Sequence, residues 1–119
     1  MLRQIDSLKI DTLVYELDDF ITKDEIIAID EGIEYMLSKF EKVNLMICIN
    51  AKGESLNAFI KEFQLGVKYW NKINKIAYVA DKKHWKTLVA IDNFFAKFKE
   101  KYFDIKDMDH AWQWLKEEA

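Results

Sequence analysis

Proline is absent from this chain and glycine occurs only three times, at Gly32, Gly53 and Gly66. That scarcity excludes an obvious flexible linker, low-complexity stretch or domain boundary, and it leaves turns to Asn, Asp and Lys, as at Asn71-Lys72 and residues 104–107. A single cysteine, Cys48, excludes an internal disulfide framework. Long hydrophobic runs are also missing. The longest, residues 45–49 and 76–80, are far too short to span a bilayer. No apolar stretch follows Arg3, so no secretory signal is expected and cytoplasmic residence is the expectation.

Chemistry-bearing residues are sparse. The two histidines, His84 and His110, offer no paired metal-ligand spacing with Cys48, which sits in the middle of an apolar run. Asp18-Asp19 are two carboxylates without further oxygen ligands and read as a turn rather than a cation site. There is no glycine-rich phosphate loop and no evident nucleophile–base pair. Catalysis is therefore unsupported, and no cofactor or metal is expected. With 18 basic and 21 acidic residues mixed along the chain, the net charge of −3 gives no overall reason to approach nucleic acid or an anionic membrane. A local basic patch could still act.

What is present is ordinary globular composition, half hydrophobic and a third charged. At 119 residues, one domain (1–119) is expected, burying roughly two-thirds of the surface its unfolded chain exposes. Residues 12–17 are rich in strand formers, with Leu13, Tyr15 and Leu17 on one face, and residues 3–9 are a weaker strand able to pair with them as a hairpin. Thr22-Lys23-Asp24-Glu25 reads as a capping box, followed by a helical stripe of Ile26, Ile29, Ile33, Met36, Leu37 and Phe40. Residues 45–49 lack polar alternation, as expected of a strand covered on both faces.

Leu56, Phe59, Ile60, Phe63, Val67 and Trp70 form a second helical stripe, and residues 74–80 a second buried strand. Trp85, Leu88, Ile91, Phe95 and Phe98 mark a third helix. A short strand at 101–104 and a last helix through Met108, Ala111, Trp112 and Leu115 complete the pattern, with Trp114 off that last stripe. The order β-β-α-β-α-β-α-β-α predicts an α/β fold with a mainly parallel sheet, an antiparallel edge hairpin and flanking helices.

This order resembles a known group. The strand at 76–80, the following Asp81-Lys82-Lys83-His84-Trp85, the later Tyr102-Phe103-Asp104 and the closing Ala111-Trp112-Gln113-Trp114-Leu115 are similar to the SpoIIAA-like family of bacterial proteins. That family shares its fold with STAS domains of the anti-sigma-factor-antagonist type and is itself largely of unknown function. STAS regulators of the partner-switching kind carry a phosphorylatable Ser or Thr at the start of the helix after the middle strand, usually preceded by Asp. The matching stretch is Asn50-Ala51-Lys52-Gly53-Glu54-Ser55-Leu56. Ser55 stands near the expected position, but Gly53-Glu54 precedes it. The resemblance implies a regulatory phosphosite there, and the plainer reading is a helix cap.

A second candidate is an anion site. Lys82 and Lys83, with Lys86, fall at the start of the third helix, where free amides and ammonium groups converge. The plainer reading is that Asp81 caps the helix and the lysines are solvated. His84 is a minor candidate for a general base. Tyr69, Trp70 and Trp85 are candidates for an apolar pocket, against the commoner role of aromatics as core. Two functions follow. One is a non-enzymatic regulatory module binding a protein partner through the 50–55 loop, the second helix and Trp114. The alternative is a carrier or sensor of a small amphipathic or lipid-like anion, held by Lys82 and Lys83 with its tail near Trp70. Self-association through exposed aromatics or the edge hairpin fits either.

Overall fold

The computed structural model describes residues 2–18, 21–50, 53–81 and 99–117, without the side chains at 53–57 and 59. The expected helix beginning at Trp85 lies outside the described residues. In chain order the elements are β1 (Leu2–Ile5), β2 (Thr12–Asp18), α1 (Lys23–Leu37), β3 (Val43–Asn50), α2 (Gly53–Gly66), β4 (Ile73–Ala80), β5 (Glu100–Asp104) and α3 (Met108–Lys116). Short 3₁₀ turns at Trp70–Lys72 and Ile105–Asp107 introduce β4 and α3. The expected α/β architecture is present.

The five strands pair in sequence order, with β1 antiparallel to β2 and the others parallel. Register then assigns every side chain to a face, because alternate residues point to opposite sides. Tyr15 lies opposite Ile47, and Ile47 opposite Tyr78, so these three share one face. α1 packs there, its Gly32 brought so close to the Tyr15 hydroxyl that a Cβ would overlap it. α2 covers the same face through Phe63, whose ring meets Tyr78 edge-on at 6.4 Å. α3 covers the opposite face, where Trp114 packs on Phe103 at 5.9 Å. β3 is thus buried on both sides, which is why residues 45–49 show no polar alternation.

α1 begins as its sequence dictates: Glu25 N donates to Thr22 Oγ1 at 3.1 Å, and Thr22 N donates to Glu25 Oε1 at 2.9 Å. The second helical stripe stops earlier than its spacing predicts. α2 ends at Gly66, and Trp70 belongs to the 3₁₀ turn rather than the helix. At Gly66 the two helices approach so closely that a Cβ would press on Ile26. Just beyond, the Asp30 carboxylate of α1 accepts from Lys68 N at 3.0 and 3.1 Å, holding the chain as it turns away.

β4 carries a bulge. Val43 pairs with Ile73 but Asn44 pairs with Lys75, so the extra residue Asn74 shifts the alternation by one. Ile73 and Ile76 therefore share the α1/α2 face, while Lys75 turns to the α3 face. Asn74 Nδ2 donates to Asn44 Oδ1 at 3.1 Å, tying the bulge to β3.

Candidate functional site

Parallel strands create two unlike edges, and ligands in open α/β sheets gather at the carboxyl ends of the strands. Here that edge is formed by Asp18, Asn50, Ala80 and Asp104, the last residues of β2 to β5. Asn50 Nδ2 donates to Asp18 Oδ1 at 3.3 Å, joining the first two ends. Asp18, Asp81 and Asp104 are each engaged with neighbouring groups. α2 starts three positions after Asn50, so Ser55 stands in its first turn at this edge. The Ser55 side chain lies outside the description. Lys82, Lys83, His84 and Trp85 also lie outside the described residues, following Asp81 in sequence.

Tyr69 and Trp70 stand at the opposite edge, where β4 begins. The eight residues of β4 separate them from Asp81, a span of about 26 Å at roughly 3.3 Å per residue. Trp70 is packed within the protein. Its ring meets Phe63 edge-on at 6.2 Å, and Lys99 Nζ lies 4.2 Å from its centroid. The same ammonium donates to the Trp70 carbonyl oxygen. Burial pushes Lys99 below the usual lysine range; the Glu100 carboxylate opposes this and the nearby Lys42 charge adds to it. Tyr69 is half-buried, with Lys68 Nζ at 5.3 Å from its ring.

A buried polar cluster links α2, β4 and β5. Glu100 accepts from Tyr78 Oη at 2.5 Å and from Gln64 Nε2 at 3.0 and 3.2 Å, one donor to each carboxylate oxygen and a second to Oε1. These donors come from a helix and a strand distant in sequence, so no local motif announces them. The arrangement fastens elements together, since buried acceptors require such partners. Trp114, off its helical stripe, rests on Phe103 with Lys75 Nζ at 5.2 Å from its ring. Its ring is partly buried against the sheet.

The reactive groups are muted. Burial pushes the Cys48 thiol up to about 11, which leaves it protonated and a poor nucleophile at neutral pH. His110 is exposed, with Nδ1 3.7 Å from Asp107 Oδ1. Among the described residues no group of three or more His, Cys, Asp or Glu side chains is placed to hold a metal ion. No described helix is long and apolar enough to cross a membrane.

A mixed sheet of this order with helices on both faces is an α/β architecture consistent with a STAS-like domain. A SpoIIAA-like family model matches residues 12–116, and the chain belongs to the SpoIIAA-like family. Neither a curated protein nor a solved structure matches it.

Proposed function

We propose that this protein is a non-enzymatic regulatory module that binds a protein partner at the carboxyl edge of its sheet, with Ser55 as the modifiable position. Membership of a STAS-type family supports the regulatory class. The observation that carries the site is the placement of Ser55 in the first turn of α2, directly after the central strand β3. A phosphate there would meet the exposed amides of a helix amino terminus while adding negative charge to an edge that already bears Asp18, Asp81 and Asp104. That change in local charge is what an acidic or basic partner surface would sense.

The test is retrieval of partners by the wild-type protein and by Ser55→Asp and Ser55→Ala. Loss of a partner with Ser55→Asp and its retention with Ser55→Ala is the expected result; identical retrieval by all three would overturn the switch. The carrier alternative draws less support, because the Trp70 ring is already occupied by Phe63 and Lys99 and lies a full strand away from Asp81.

A further inference from the structure

We draw no further inference here: the strongest candidate, the solvent face of α1 where exposed Ile27 and Tyr35 stand among Asp24, Glu31 and Glu34, carries nothing, because Lys23 and Lys39 flank those acids and nothing in the structure shows what covers the face.

Discussion

Lys75 Nζ donates to the carbonyl oxygen of Trp114 at 2.8 Å, across a sequence separation of 39 residues, and to that of Glu117 at 2.5 Å. The lysine is only 6 % exposed, so its ammonium serves as the carboxyl-terminal cap of α3 from within the sheet. Carbonyls at a helix end carry partial negative charge and lack helical donors, which is what this cation supplies.

Replacing Lys75 by Met keeps most of the volume and removes the donor. The Trp114 and Glu117 carbonyls then lose a charged partner, and stability should fall by about 1–3 kcal/mol. The urea midpoint should drop, and the tryptophan fluorescence should report loosening of Trp114 from Phe103. An unchanged midpoint would show that water replaces the ammonium at no cost.

Gly32→Ala tests the approach of α1 to the sheet. Alanine is the better helix former, yet its Cβ would overlap the hydroxyl of the buried Tyr15. Overpacking of this kind should destabilise by about 1–3 kcal/mol. Tyr15→Phe removes the offending oxygen, so the double variant should recover part of the loss, with a coupling of at least about 0.5 kcal/mol in chemical denaturation. Strict additivity would place the strain elsewhere.

Alkaline pH should unfold the protein through two buried groups. Burial pushes Cys48 up from 9.0 to about 11 and Tyr15 up from 10.0 to about 12. Both favour the neutral form when folded, so the unfolded chain holds fewer protons at high pH and stability falls as pH rises. The contribution is complete below pH 9 and is lost progressively from 9 to about 12. Denaturation midpoints across that range should decline, and less steeply between 9 and 11 in Cys48→Ala. Cys48 should also resist alkylation at neutral pH relative to a free thiol.

The parts of the fold legible in the sequence were those written locally. The capping box at Thr22 and Glu25 specified where α1 starts, and the unbroken apolar run at 45–49 specified a strand covered on both faces. The end of α2 was misjudged because Val67 and Trp70 continue a helical spacing, while the turn depends on Asp30 from another helix. The bulge at Asn74 leaves no signature beyond an irregular polar pattern, since its partner Asn44 is 30 residues away. Trp114 could not be assigned to a surface or an interior until Phe103 and Lys75 were brought to it. Ser55 was found through resemblance and placed by the position of α2.

The sequential order of the strands bears on how the molecule is made. Each strand pairs with the one synthesised just before it, so none has to be threaded between two already joined. As the chain leaves the ribosome, the sheet can grow from one side, each new strand closing on an edge left open by its predecessor.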